Sequence, residues 1–472
     1  VTTLIRTEAP AATAVADTRR GGGAALLAAL LGFAVITIDV SAVNIALPGI
    51  QESLHTGMTG LQWVADAYTL MFAGLMLSAG ALGDRTGARR AYAWGTALFT
   101  VASLACALAP GLGALVAARV VQGGAAAVLM PASLALIRQA YEEPVRRARA
   151  VALWTVGGSV SMAAGPVLGG VLTEHVGWRA VFFLNLPVGA VILALLTKVA
   201  RSPRRAAPLD LPGQITAVLA LAGLTFAVIE GGHGGWSSAP VLGALALAVV
   251  SGAGFYVAER RQRAPMVPLG MLRQRTISVS LVVGFALNLG FYGVVFLLGL
   301  YLQQLRGMSA TAAGLMFVPM AAIITATNLV SPRAAERMGR RRVVVTGTLV
   351  LALAMFALLP LTQGTPLWLV LLLLVPTGMG GAFAVPAVTA MLMDSVPGER
   401  VGTASGMLNA LRQTGGALSV AMFGAVIGGG STGFSVSGMR VGLVVAGVVL
   451  CATAGVAGVL LPGGRQRAVA GS

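Results

Sequence analysis

The sequence predicts an all-α polytopic membrane protein with fourteen transmembrane helices, and three observations carry that prediction. Of the 472 residues, 57% are hydrophobic and 10% charged, where a soluble domain carries about a quarter charged residues. Mean hydropathy is +0.87. Apolar runs of about twenty residues, the length that crosses a bilayer, recur along the whole chain.

In order, the runs occupy 24–47, 61–83, 91–109, 111–138, 148–172, 179–199, 211–232, 239–258, 277–302, 311–331, 342–361, 366–393, 401–429 and 439–461. Residues 1–23 form a polar tail, disordered over its first twenty. Its Arg19-Arg20 pair suits a signal peptide, but the run that follows is too long and lacks an A-x-A-type cleavage site, so it is the first span, uncleaved.

Counting from an inside start, 27 basic residues fall on cytoplasmic segments or span ends there. Three (Arg179, Arg306, Arg440) fall outside, and two (Arg119, Arg412) fall within spans. The positive-inside rule places both termini in the cytoplasm. It also accounts for the net charge of +17, because no basic cluster on one soluble surface is left to bind nucleic acid. Cys106 and Cys451 lie inside apolar runs and build neither a disulfide framework nor a metal cluster. His55, His175 and His233 fall in or beside outer loops.

The chain repeats itself. GDRTGARR (Gly83 to Arg90) follows the second span and AERMGRRR (Ala335 to Arg342) follows the tenth, at an offset of 252. Asp84 aligns with Glu336, Arg85 with Arg337, Gly87 with Gly339 and Arg89-Arg90 with Arg341-Arg342. With spans seven and eight as an insert, this gives a 6 + 2 + 6 plan of parallel pseudo-symmetric halves. Its parts are a tail (1–23), an N-terminal six-helix bundle (24–199), a two-helix insert with linkers (200–275), a C-terminal six-helix bundle (276–461) and a tail (462–472).

Four stretches carry chemistry. In LSAGALGDRTGARR, Gly80 and Gly83 permit close helix approach, Asp84 can meet a helix N-terminus or an arginine of the other half, and Arg85, Arg89 and Arg90 anchor the cytoplasmic face. The plain alternative is positive-inside anchoring alone. In GGSVSMAAGPVLGGVL, Gly165, Pro166, Gly169 and Gly170 make a kinked, smooth helix face, for domain rocking or for general packing. In LVAARVVQGGAAA, Arg119 lies about two turns inside a span; an intramembrane ion is a functional hypothesis by default, with an interhelical anchor as the bland reading.

Fifteen acids exist, and only Asp39, Asp66 and Glu230 lie within the spans. Burial favours the protonated form of a carboxyl group, and a fixed guanidinium favours the ionised form. A carboxylic acid within reach of Arg119 is therefore a candidate for loading and unloading protons, and Asp39 is one such candidate. Asp66 is either a second such group or a solvated helix-end acid, and Glu230 is an interfacial acid of the insert.

These motifs resemble the major facilitator superfamily, in its fourteen-helix drug:proton antiporter branch. The loop resembles the family signature between helices two and three, with Glu336 and Arg337 in the second copy. The Gly-Pro stretch resembles the antiporter motif, and the Arg119-x-x-Gln122-Gly pattern resembles the family's proton-transfer helix. IDVSAVNIALP around Asp39, QWVADAYTL around Asp66 and GWRAVFFLNLPVG resemble that branch, as do GLYLQQLRGMSATAAGLMFVP and GTASGMLNALRQTGGALSVA. The resemblance of its stretch favours Asp39 as the acid that loads and unloads protons. Actinobacterial antibiotic-resistance exporters of the methylenomycin-resistance type are the most similar.

The resemblance implies a major facilitator fold in a bacterial cytoplasmic membrane and proton-driven export of a hydrophobic drug or antibiotic by a functional monomer. The energy source is the proton gradient, with no cofactor. The only lysine, Lys198, sits between threonine and valine, so no Walker A loop exists. Members that expel divalent cations carry further acids in later helices. Spans ten and thirteen have none, and Arg412 stands there instead, which favours neutral, weakly charged or acidic substrates.

Polar residues available to a substrate cavity are Asn44, Gln122, Asn288, Tyr292, Gln303, Asn328, Asn409 and Gln413. The competing readings are a metabolite exporter or uptake symporter on the same fold and, from another class, an integral membrane enzyme. The last is disfavoured because no polar cluster with paired acids lies near a headgroup plane.

Overall fold

The computed structural model describes residues 11–204, 210–262, 265–397, 400–428 and 434–462. Residues 1–10 and 463–472 of the expected tails lie outside the described residues. The helices are α1 (Ala11–Leu54), α2 (Met58–Thr86), α3 (Ala88–Ala107), α4 (Leu112–Ala140), α5 (Pro144–His175), α6 (Arg179–Phe183), α7 (Asn185–Leu196) and α8 (Leu211–Gly234). After them come α9 (Ala239–Arg261), α10 (Arg275–Leu300), α11 (Ala310–Leu315), α12 (Val318–Met338), α13 (Arg340–Ala357), α14 (Leu367–Asp394), α15 (Val401–Ile427) and α16 (Val436–Leu460). The first turns of α1 lie in the segment expected as a disordered tail, so helix begins earlier than the composition suggests.

Two expected spans are broken, and proline explains both. Pro187 and Pro319 have no N–H to donate to the carbonyl four residues back, which belongs to Phe183 in one case and Leu315 in the other. Those residues end α6 and α11, and α7 and α12 resume beyond them. The last turn of the ninth span winds into a π segment, Tyr301–Leu305.

Twelve helical stretches are long and apolar enough to cross a membrane among the described residues. The two further helices expected to cross are α3 and α13, both short and both opening on arginines (Arg89-Arg90 and Arg340 to Arg342). Their entries are near-copies. Gly87 has φ 87°, ψ 134° and Gly339 has φ 89°, ψ 141°, a left-handed region that disfavours any side chain. Gly87 N donates to Gly83 O at 2.9 Å, and Gly339 N donates to Ala335 O at 3.0 Å. The 252-residue repeat is thus a repeat of backbone geometry.

Helices α1 to α7 pack mainly on one another, as do α10 and α12 to α16, while the short α11 lies chiefly against α5. The two groups meet along α2 with α15 and along α5 with α11 and α12. Helix α9 packs on α8, and α8 lies against both α2 and α15. Gln214 Nε2 donates to Gly74 O at 2.5 Å, pinning α8 to α2. Large apolar side chains such as Val101, Val249, Leu353 and Val459 remain on the outer surface, which suits contact with hydrocarbon rather than water.

Candidate functional site

Asp39 (α1) and Arg119 (α4) meet in the interior of the first helix group, with 0% and 1% of their side-chain surfaces exposed. Arg119 Nη1 lies 2.5 Å from Asp39 Oδ2 and donates to Gln122 Oε1 at 2.9 Å, while its Nε donates to Val64 O on α2 at 3.0 Å. Asp39 Oδ1 accepts from Gln122 Nε2 and from Asn185 Nδ2, both at 2.9 Å. Asn185 also donates to Ser103 Oγ at 2.8 Å, and Ser103 donates to Phe182 O at 3.0 Å. The guanidinium lies 4.3 Å from the centre of the Tyr68 ring, a cation–π contact in a dry setting. Both charges are therefore matched by fixed donors and acceptors, as a buried ion pair requires.

Sequence reasoning paired Asp39 with Arg119 but missed Asn185 and Ser103. The available signal was one asparagine inside FFLNLP and one serine inside SLACA, each too short and too common to stand out. Gln122, expected in a substrate cavity, instead braces Asp39 and Arg119, because position 122 lies one turn from 119 on the same face of α4.

Beside the pair lies a cavity of about 10 Å³, about the space of one water, bordered by Asn44, Thr69, Arg119, Tyr292 and Gly416. Asn44 is buried and donates to Val40 O at 3.0 Å, which leaves its Oδ1 without a partner. Asn288 accepts from Arg412 Nε at 3.4 Å. Asn409 bonds its own helix at Ser405 O; Asn328 and Gln413 are half-buried and do not border the cavity. Gln303 donates to Ile45 O at 3.0 Å and so joins the two helix groups rather than lining the cavity.

Asp66 is fully buried, which overturns the solvated helix-end alternative; α2 starts at Met58, two turns before it. Neither carboxyl oxygen has a hydrogen-bond partner among the described residues. One turn earlier, Gln62 Nε2 donates to Ala421 O of α15 at 2.7 Å, and Leu77, further along, packs at Gly406 of α15. Helical spacing puts Asp66 within about 40° of both, on the α15-facing side. Glu230, near the end of α8, belongs to neither cluster.

The Gly-Pro stretch lies where three helices touch. A Cβ on Gly169 would stand 2.6 Å from Ala42 Cα of α1, and one on Gly165 would strike Ser41. On the other face, a Cβ on Gly170 would meet the Ala310 backbone of α11, and Gly314 sits against the Pro166 carbonyl. Glu174 Oε2 accepts from Thr311 N at 2.9 Å across the same seam. This is backbone-to-backbone packing of the kind small residues permit.

The loop motif is different. A Cβ on Gly80 or Gly83 would meet nothing within 4 Å, so the expected close helix approach at these glycines is absent in this conformation. Asp84, Arg85, Glu336 and Arg337 are exposed, and no ion pair involves them among the described residues. By contrast, the α1, α10 and α11 end is bridged by Gln303 and by Gln304 Nε2, which donates to Gln51 Oε1 at 2.7 Å. The two helix groups are joined at that end; at the motif end Leu77 of α2 still packs at Gly406 of α15, while Asp84, Arg85, Glu336 and Arg337 stay exposed and unpaired among the described residues.

Two helix groups meeting along small-residue seams, with a buried acid–guanidinium pair beside a water-sized void between them, match the two-bundle plan of a secondary membrane transporter. The comparisons agree. The Major Facilitator Superfamily profile matches residues 29–420, with a second match over 324–470. The chain belongs to that superfamily.

It is 37% identical to the methylenomycin A resistance protein of Streptomyces coelicolor over 425 residues, 89% of this chain and 90% of that protein. It is 37% identical to the multidrug resistance protein Stp of Mycobacterium tuberculosis (85% of this chain, 75% of that protein). To the tetracenomycin C resistance and export protein of Streptomyces glaucescens it is 34% identical, with the same two coverages. Among solved structures, a D-xylose-proton symporter superposes with TM-score 0.65 at 15% identity, covering 90% of this chain and 96% of that one. That likeness shows the fold.

Proposed function

We propose that this chain is a proton-driven exporter of drugs or antibiotics in a bacterial cytoplasmic membrane, working by alternating access. The observation that carries the coupling is the buried Asp39–Arg119 pair held by Gln122 and Asn185. Relatives named for antibiotic resistance and multidrug resistance support the substrate class. The arginine-rich ends support a 6 + 2 + 6 arrangement with both termini cytoplasmic. The working unit is a monomer, it needs no cofactor, and it catalyses no covalent chemistry.

In this reading the Gln303 and Gln304 end is shut, and the opposite end, where Asp84, Arg85, Glu336 and Arg337 are exposed and unpaired among the described residues, is the one that opens to the cytoplasm. Protonation of Asp39 removes the charge that holds Arg119, freeing a guanidinium that borders the cavity. Proton release to the cytoplasm restores the pair. Asp66, buried with no hydrogen-bond partner among the described residues, is the second acid of the coupling. One proton driven by 100 mV supplies about 2.3 kcal/mol, roughly a fifty-fold substrate gradient. The latch of Gly80, Asp84, Arg85, Gly87, Arg89 and Arg90, with Glu336 and Arg337, closes in the opposite state.

The test is transport in proteoliposomes with an imposed proton gradient and a fluorescent lipophilic drug. Drug movement opposite to the proton flux, abolished by an uncoupler, is expected. Movement in the same direction as the proton would establish a symporter and end this reading.

A further inference from the structure

A second site lies at the other end of the first helix group. Where the α2–α3 turn meets the linker after α7, a cleft of about 460 Å³ is lined by four arginines, Arg89, Arg90, Arg201 and Arg204. Its volume falls in the ~300–1,000 Å³ range of ligand pockets. Hydrogen bonds hold the linker in place. Ser202 Oγ accepts from Arg89 N at 2.9 Å and donates to Gln139 Oε1 at 2.6 Å, and Gln139 Nε2 donates to Arg201 O at 3.1 Å. Gly87 lets the linker approach, because a Cβ there would stand 3.0 Å from Ser202 O.

Among the described residues no carboxylate pairs with any of these four arginines. Like charges gathered round one cavity repel, and an anion inside relieves that repulsion. The surroundings say which anion. One turn after Arg90, Trp94 is 75% exposed, and Leu98 and Val101 continue the same face of α3 at 48% and 64%. An exposed indole at the end of an apolar stripe marks headgroup depth, so the cleft opens where lipid phosphates lie. Basic pockets on the cytoplasmic side of helical membrane proteins bind acidic headgroups.

We propose that this cleft binds the phosphodiester of an acidic phospholipid, with the acyl chains lying along Trp94, Leu98 and Val101. Free inorganic phosphate would meet the same charges but not the apolar stripe.

The test uses the full chain in detergent and reads lipid retention by native mass spectrometry. The probes are phosphatidylglycerol and phosphatidylcholine of identical chains, with inorganic phosphate as a competitor. The unaltered protein is expected to retain phosphatidylglycerol preferentially. At about one order of magnitude or more for two basic groups, Arg201→Gln with Arg204→Gln should weaken that retention, while Arg201→Lys with Arg204→Lys should keep most of it. Trp94→Ser with Leu98→Ser should weaken lipid retention with all four arginines intact. Equal retention of the two lipids by the unaltered protein overturns the proposal, a comparison that needs no variant to fold. So does complete displacement by millimolar inorganic phosphate, which would make the cleft a phosphate site.

Discussion

Asp39 Oδ2 lies 2.5 Å from Arg119 Nη1, and neither side chain exposes more than 1% of its surface. The two residues come from different helices; Gln122 bonds both, and Asn185 of a third helix bonds Asp39. A buried ion pair is weak evidence for stability, because desolvation offsets the attraction. Its persistence here is better explained by a change of charge during function, and that idea makes testable demands.

Asp39→Asn keeps the shape and an acceptor for Asn185 and Gln122, so it should still insert, but it leaves Arg119 without its counter-ion and so costs stability too, and proton-driven efflux should disappear. Arg119→Ala should be worse for folding, because it leaves Asp39 buried without its counter-ion, a loss of about 3–5 kcal/mol. Efflux assays with thermal unfolding in detergent check both. Normal pumping by Asp39→Asn would refute the coupling assignment.

Asn185→Leu removes two hydrogen bonds, to Asp39 Oδ1 and to Ser103 Oγ. Transport should fall several-fold, while Asn185→Gln or →Ser recovers part of it. A merely packing role for Asn185 predicts instead that leucine is tolerated, and uptake rates in vesicles decide.

The two glycine motifs should respond differently. Gly169→Val should destabilise the protein by about 1–3 kcal/mol, because its side chain would enter the α1 backbone at Ala42. Gly80→Val faces open space in this conformation, so thermal stability should hold while transport drops through failure to close the opposite state. Equal loss of stability in both variants would remove the latch.

Gln51 and Gln304 bond across the two helix groups. Replacing both by cysteine and adding a short bifunctional thiol reagent should arrest transport, with reversal on cleavage of a reducible linker. Continued transport with the crosslink complete would show that this end never opens.

Arg412, near the centre of α15, bonds Asn288 at 3.4 Å and pairs with no carboxylate among the described residues. A lipophilic monoanion should therefore be exported better than a dication of similar size, and Arg412→Gln should narrow the difference. Minimum inhibitory concentrations for matched anionic and dicationic compounds measure it.

The membrane class, the all-helical build and the repeat of the loop motif were legible because they are one-dimensional: apolar length and an offset of 252 residues. Breaks at Leu184 and before Val318 were also written in the chain, in Pro187 and Pro319, but a hydropathy run hides them. Partners of Asp39 were legible only in part. Arg119 is rare enough in a span to draw attention, whereas Asn185 and Ser103 are ordinary residues that matter through their position in space.

By itself the sequence determined that this chain lives in a bilayer, which way its charges bias it, and which few ionisable groups lie in oil. Only the tertiary structure decided that Asp39 shares both of its oxygens with three side chains, that Asp66 has no partner, and that the Gly-Pro stretch is a seam while Gly80 and Gly83 face open space. The physical reason is that burial cost is local to each residue and can be summed along a chain. Hydrogen-bond partnership and backbone approach depend on where distant helices come to rest.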